Sequence, residues 1–293
     1  MVDLILDTDI GGDIDDALCL ALALNSPEVV LRAITTVNTD PLLRARLAAK
    51  MTHTFGCPGI PVAPGCKAMF DGTQTHCKDI NHAVVLDLDD PIPREDGVEL
   101  IVETVRQHAG RIVIAGIGPW TNIASAFERA PDLCQTVSRL VLMGGQLDPP
   151  GPESNIRCDP AAAAYVLDLP VPKILVPLEV TCRQLYPAEQ HGSLFSTGTR
   201  QANLVRDMMR AWQLGRCRGN PTRAPVLHDP LALALAFDDS LITQREALRV
   251  GIEWRDGEAV TLPVDGAPNA DVVRAVDEAR FSELFLTRIC GAA

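Results

Sequence analysis

Aromatic residues make up only 4% of this 293-residue chain, and lysine is scarce, so its 26 basic residues are mostly arginine. Against 38 acidic residues they leave a formal net charge of -12, which argues against nucleic acid or an anionic membrane as the main partner. A free polyanionic substrate is disfavoured as well, unless a metal or local arginines compensate. No apolar run approaches the roughly 20 residues that span a bilayer. The longest, Ala17 to Leu24 and Leu231 to Phe237, are far shorter. The first residues read as a short strand rather than as a basic leader with a cleavable apolar segment, and no repeat or low-complexity stretch stands out. Nine cysteines, an odd number with no CxxC pair, do not look like a disulfide framework and fit reduced thiols. The expectation is a soluble cytoplasmic protein. Its 47% hydrophobic and 22% charged content is that of an ordinary globular chain with a substantial core.

What is present is alternation. Strand-like runs at Leu4 to Leu6, Val29 to Val37, Arg111 to Gly116, Arg139 to Met143 and Lys173 to Pro177 stand out. Helical patterns lie between them at Ala17 to Leu24, Pro41 to Phe55, Glu95 to His108, Thr121 to Ala130 and Pro160 to Leu167. That order predicts βαβ units around a mostly parallel (mixed) central sheet flanked by helices, an α/β, Rossmann-like architecture. From about residue 187 the pattern reads as mainly helical, with Thr199 to Leu214, Asp229 to Phe237 and Ala270 to Cys290 covering the sheet. One domain over residues 1–293 is expected. Its least regular stretch, Phe70 to Pro93, is a candidate lid or recognition loop.

The stretch from Asp7 to Asp16 carries the chemistry. It holds Asp7, Asp9, Asp13, Asp15 and Asp16 together with Gly11 and Gly12, directly after the apolar strand Leu4 to Leu6. Like charges so close together repel unless something positive neutralises them. Oxygen ligands without His or Cys select a hard cation, Ca2+ or Mg2+. A strand followed by a glycine turn and a helix is also where open α/β folds bind ligands. Polar groups gather at four further strand or helix ends: Thr35 to Asp40, Gly116 to Asn122, the run from Glu153 to Pro160, and His228-Asp229-Pro230.

Each of these has a plainer reading. A lone Asp at a helix start is more often a cap than a ligand, which makes Asp159 structural, and Asp13 reads equally as a solvated turn residue. His228 divides evenly between core hydrogen bonding and catalysis. Capping needs one carboxylate, however, and leaves four in the first loop without a task. An EF-hand fails on spacing, because the fifth and twelfth positions from Asp7 are Gly11 and Leu18. The Asp7-Thr8-Asp9 triplet resembles that of haloacid-dehalogenase-like Mg2+ phosphohydrolases. Their phosphate-binding lysine and a glycine-rich cradle with a basic partner are missing here. A zinc site from His53, Cys57, Cys66, His76, Cys77 and His82 matches no standard spacing. Neutral sugar hydroxyls suit the acidic site better than phosphate does.

Taken together, these blocks resemble the inosine-uridine-preferring nucleoside hydrolase family, whose members cleave the N-glycosidic bond of ribonucleosides at a Ca2+ centre. The family's opening DTDxGxDD is matched by Asp7-Thr8-Asp9-Ile10-Gly11 and Asp15-Asp16, with two extra residues between. Gly118-Pro119-Trp120-Thr121-Asn122 is similar to its GPLTN block. Met143-Gly144-Gly145, Glu153-Ser154-Asn155-Ile156, Asp159-Pro160 and His228-Asp229-Pro230 follow in family order, so the likeness runs from about Asp3 to Phe237. The resemblance implies a nucleoside hydrolase fold and hydrolysis of purine or pyrimidine ribonucleosides to free base and ribose in salvage. It implies that Asp9 binds Ca2+ and acts as general base on a metal-bound water. Asp16, Asp229 and the main-chain carbonyl of Thr121 would complete the ligand set. Asp15, Glu153 and Asn155 would grip the ribose, Asp7 would brace the loop, and His228 would stand beside the base as proton donor. Family members commonly form homodimers or homotetramers.

The departures from the family pattern are local. Where many members carry Asn after the second strand this chain has Asp40, expected to contact the ribose in its place. Leu147 stands where many members have an Asn, six residues before Glu153. The HGxxG-type segment near residue 80 is not recognisable, leaving His76 or His82 as candidates for base recognition. These changes motivate the alternative of a catalytically weak paralogue that binds a nucleoside or ribosyl ligand. The retained Asp9, Asp15, Asp16, His228 and Asp229 oppose it.

Overall fold

From Leu4 to Thr8 the first strand is buried without interruption, the pattern of a strand covered on both faces of a parallel sheet. In the computed structural model, which describes residues 1–73, 80–91, 93–186, 198–220 and 223–290, this is β1 (Val2–Thr8). Next come β2 (Val29–Thr36), β3 (Val62–Pro64), β4 (Ile112–Gly116), β5 (Arg139–Met143) and β6 (Lys173–Val176). The later strands are β7 (Ile242–Leu248), β8 (Val250–Arg255), β9 (Glu258–Pro263) and β10 (Ala270–Val276). Eight of them form one sheet in the order β3-β2-β1-β4-β5-β6-β10-β7. Its pairings are parallel except the last, where β7 runs antiparallel to β10.

Helices cover both faces. One core layer is built from α1 (Asp15–Asn25), α2 (Pro41–Thr54), α9 (Arg200–Gly215), α10 (His228–Phe237) and α11 (Glu278–Cys290). The other holds α3 (Gly97–Gln107), α4 (Thr121–Arg129), α5 (Leu133–Thr136) and α7 (Pro160–Asp168). Two short helices, α6 (Ser154–Cys158) and α8 (Leu178–Thr181), follow β5 and β6. From Asp229 to Ala236 every residue of α10 is buried, so this helix is apolar all round and sits inside the layer. β1 lies between β2 and β4, so the chain leaves it in both directions along the sheet. The crevice beyond the carboxyl ends of β1 and β4 is therefore the topological switch point where such folds take ligands.

The central α/β plan agrees with the sequence reading; the C-terminal part corrects it. Among the described residues beyond 187 the helices α9 to α11 outweigh the strands, but the part is not helical throughout, since β7 to β10 occupy most of Ile242 to Val276. The segment expected as one helix from Ala270 to Cys290 is β10 followed by α11. Its Val272 and Val273 are β-branched and fully buried against β6 and β7, and that burial decides for strand. Asp256-Gly257, at φ 52° and 80°, makes the two-residue turn joining β8 to β9, the Asp-Gly signal of a hairpin. Within Phe70 to Pro93, the described part includes a 3-10 turn over Asn81–Val85; His76 and Cys77 lie outside the described residues.

Candidate active site

The acidic loop leaves β1 at Thr8 and enters α1 at Asp15, so Asp15 and Asp16 occupy the first helical turn, where the helix dipole favours negative charge. Thr8 Oγ1 donates to Asp16 Oδ1 at 2.5 Å and accepts from the amide of Ile10 at 3.1 Å. The loop carbonyls are held from α2. Arg44 is fully buried, and its Nη1 donates to the carbonyl oxygens of Asp9 and, at 2.9 Å, Ile10. Its Nε and Nη2 reach the carbonyl of Asn38 (2.9 Å) and the hydroxyl of Thr39 (3.2 Å). Gly118 makes the close approach of the β4 loop possible, because a Cβ there would lie 2.9 Å from the Asp9 amide nitrogen. Beneath the loop, Asp7 accepts from Thr35 (2.6 Å) and Asn122 (2.7 Å), tying β1 to β2 and α4. Burial pushes the Asp7 carboxyl up to about 7 against the pull of those two donors.

Asp229, in the first turn of α10, meets this loop. Asp15, Asp16 and Asp229 are all buried and offer carboxylate oxygens within 4.8 Å of one another. Burial, and then the neighbouring carboxylates, push Asp16 up to about 8 despite the Thr8 hydroxyl and Arg44. Asp15 and Asp229 rise well above the usual range for the same reasons. Crowded carboxylates that resist ionisation for want of a counter-charge are the donor set of a hard divalent cation. Among the described residues this is the cluster of three or more His, Cys, Asp or Glu side chains able to hold a metal, and of the zinc candidates the described ones, His53, Cys57, Cys66 and His82, are not brought together.

Asp9, Asp15, Asp16 and Asp229 line a cavity of about 210 Å³ together with Glu153, Asn155 and His228. Glu153 caps α6, its carboxylate accepting from the amides of Gly145 (3.0 Å), Asn155 (2.9 Å) and Ile156 (3.1 Å). Asn155 Nδ2 donates to the carbonyls of Ile117 and Met143, which leaves its Oδ1 for a ligand. His228 Nδ1 lies 2.7 Å from Thr181 Oγ1, and burial holds its imidazole down at about 4.

Other expected residues are not among those lining the cavity. Asp40 is exposed, caps α2 by accepting from the Leu43 amide at 3.0 Å, and does not line the cavity. Asn38 takes the place beside Asp9, with Nδ2 3.3 Å from Asp9 Oδ2. Asp40→Ala should therefore cost about 1 kcal/mol of stability and leave the KM for nucleosides unchanged. A KM raised tenfold would restore it to the site. Thr121 is buried at the start of α4, its hydroxyl donating to Asp159 at 2.6 Å. Asp159 also accepts from the amides of Phe70 and Ala162, a bracing role in keeping with a cap. Leu147 is buried outside the cavity lining, and its amide faces Glu179. His82 is fully buried under the loop, its amide donating to the Gly11 carbonyl, and it does not line the cavity either. The sequence reading did not single out Arg44 or Thr181. An arginine one turn into a helix after an Asp cap carries no pattern of its own.

A family profile for inosine-uridine preferring nucleoside hydrolases matches residues 4–283. The chain belongs to that family. It is thus a glycosidase acting on N-glycosyl compounds, and its chemistry is ribonucleoside hydrolysis. A probable uridine nucleosidase from Arabidopsis thaliana is 30% identical over 260 residues, covering 84% of this chain and 80% of the relative. A purine-preferring ribonucleoside hydrolase from Gardnerella vaginalis is 27% identical, with a TM-score of 0.84 over 99% of this chain and 98% of the other. A plant nucleoside hydrolase superposes with a TM-score of 0.88 at 24% identity, covering 99% of each chain, and shows the same fold. Among the described residues of this nucleoside hydrolase, no helix is long and apolar enough to cross a membrane.

Proposed function

We propose that this nucleoside hydrolase cleaves ribonucleosides to base and ribose with Ca2+ held by Asp9, Asp16, Asp229 and the Thr121 carbonyl. The observation that carries the reading is the convergence of buried Asp15, Asp16 and Asp229 with Asp9 on the wall of one ribose-sized cavity. A bound hard cation supplies a Lewis acid that makes water easier to deprotonate. Asp9, hydrogen-bonded by Asn38, is the base that takes the proton from the attacking water as its oxygen adds to C1′. Asp15, Glu153 and Asn155 hold the ribose hydroxyls, and the carboxylates stabilise the positive charge that develops on the sugar ring. The electron pair of the C1′–N bond stays on the base, which takes a proton from His228; burial keeps that ring neutral at pH 7 in the free protein, so the step requires it to be protonated in the complex.

The relatives include enzymes for both base classes, a uridine nucleosidase and a purine-preferring hydrolase, so family membership leaves the base open. The test is ribose release from inosine, adenosine, guanosine, uridine and cytidine, with Ca2+, after chelation, and after Ca2+ is restored. Release that returns with Ca2+ and not with Mg2+ is expected. A protein that binds Ca2+ and releases no ribose from any of the five would overturn the reading.

A further inference from the structure

His228 reaches the cavity from the first residue of α10, and one of its ring nitrogens is already committed. Nδ1 lies 2.7 Å from the hydroxyl of Thr181, the last residue of α8, whose side chain is fully buried. That hydroxyl also stands 3.2 Å from the Leu178 carbonyl. A hydroxyl both donates and accepts, so it suits either state of the ring. With Nδ1 bare, Thr181 donates to it. With Nδ1 protonated, Thr181 accepts and turns its own proton to Leu178. Nε2 is then the ring nitrogen left for a substrate.

The distance between the two residues is fixed by the backbone around them. The Leu227 amide donates to the Gln184 carbonyl at 2.7 Å, and the Tyr186 amide to the Pro225 carbonyl at 3.0 Å. Leu185 and Val226 form an antiparallel bridge between the same two stretches. The segment leaving α8 is thus zipped to the segment entering α10, and Thr181 and His228 are held as one unit.

We propose that Thr181 is the positioning residue of the reaction: through Nδ1 it sets the plane of the His228 ring and aims Nε2 at the leaving base. Thr181 touches no substrate itself and acts through His228. This inference rests on the proposed hydrolysis, and the experiment keeps the two apart. Thr181→Val preserves shape and deletes the hydroxyl. It should lower kcat on a natural nucleoside by roughly 10–100-fold, the usual cost of losing a group that orients a reacting histidine. A nitrophenyl riboside, whose phenolate leaves without a proton, should stay within about threefold of the parent. Thr181→Ser restores the hydroxyl and should recover most of the loss. In a His228→Ala background, Thr181→Val should change kcat by less than about twofold, because the partner it acts through is gone. Thr181→Ala reads the same split should the valine variant fail to fold. Equal losses on both substrates, or an undiminished loss in the His228→Ala background, would overturn the assignment. A parent protein that hydrolyses neither substrate would instead sink the proposed function.

Discussion

Replacing Asp9 with alanine is expected to abolish ribose release and leave the fold intact. The reason is that the two roles of this residue reside in different atoms. Its backbone is built into the scaffold, with Arg44 holding the Asp9 and Ile10 carbonyls and Gly118 packed against the Asp9 amide. Alanine keeps all of those contacts. The carboxylate lines the cavity and accepts from Asn38 at 3.3 Å. Its charge raises Asp15, Asp16 and Asp229, so removing it relieves repulsion, which offsets the loss of the Asn38 hydrogen bond. Losing a general base alone costs about 10²–10⁴-fold in rate, and losing a metal ligand adds to that. A drop of at least roughly 10³-fold in kcat is expected, with the melting temperature of the metal-free protein unchanged or raised. Activity within tenfold of the parent would remove Asp9 from the mechanism.

The sequence made this centre legible because its signal is local. Five carboxylates within ten positions cannot be explained by one helix cap, and the strand that precedes them fixes where they emerge. Asp229 and Glu153 were legible only through their motif blocks, since nothing in residue spacing says that α10 packs against α1. Arg44 escaped for the converse reason. Its importance comes from the left-handed backbone at Asn38 and Thr39, φ 77° and 52°, which turns the carbonyl of Asn38 toward the guanidinium. Asp40 was misplaced by the same turn, which sends Asn38 rather than Asp40 to the site. The C-terminal strands show the difference between a missed signal and an absent one. Asp256-Gly257 is a hairpin turn readable from sequence. In contrast, β10 is a short mixed run whose state is decided by its two neighbours in the sheet.

Removal of the metal should make stability fall with pH between 7 and 8. Burial and mutual repulsion raise the metal-free Asp16 to about 8 from an ordinary 3.8, and Asp15 and Asp229 rise well above it. In this window the folded protein keeps protons that the unfolded chain has released. A raised carboxyl contributes stability that is fully present below the unfolded value and lost as pH climbs through the folded one. Each proton so retained costs about 1.4 kcal/mol per pH unit. Few groups oppose this in the window. His82 and His228, lowered by burial to about 3 and about 4, are neutral in both states above pH 7. Lys173, lowered by burial to about 8, is half titrated at the upper limit and offsets part of the slope there, equally with and without metal. With a cation bound, Asp15, Asp16 and Asp229 are ionised in the fold as in the unfolded chain, and their share of the slope should vanish, leaving the smaller share of Asp7, which burial raises to about 7 away from the metal. Metal at a hundred times its Kd adds about 2.7 kcal/mol besides, worth about 5 °C in a chain of this size. Thermal melts with Ca2+ and with chelator, at pH 7.0, 7.5 and 8.0, measure both effects. Two curves that diverge as pH rises place the protons on the metal ligands. Parallel curves would mean that the buried carboxylates are neutralised by something other than the cation, and the Ca2+ reading would fall with them.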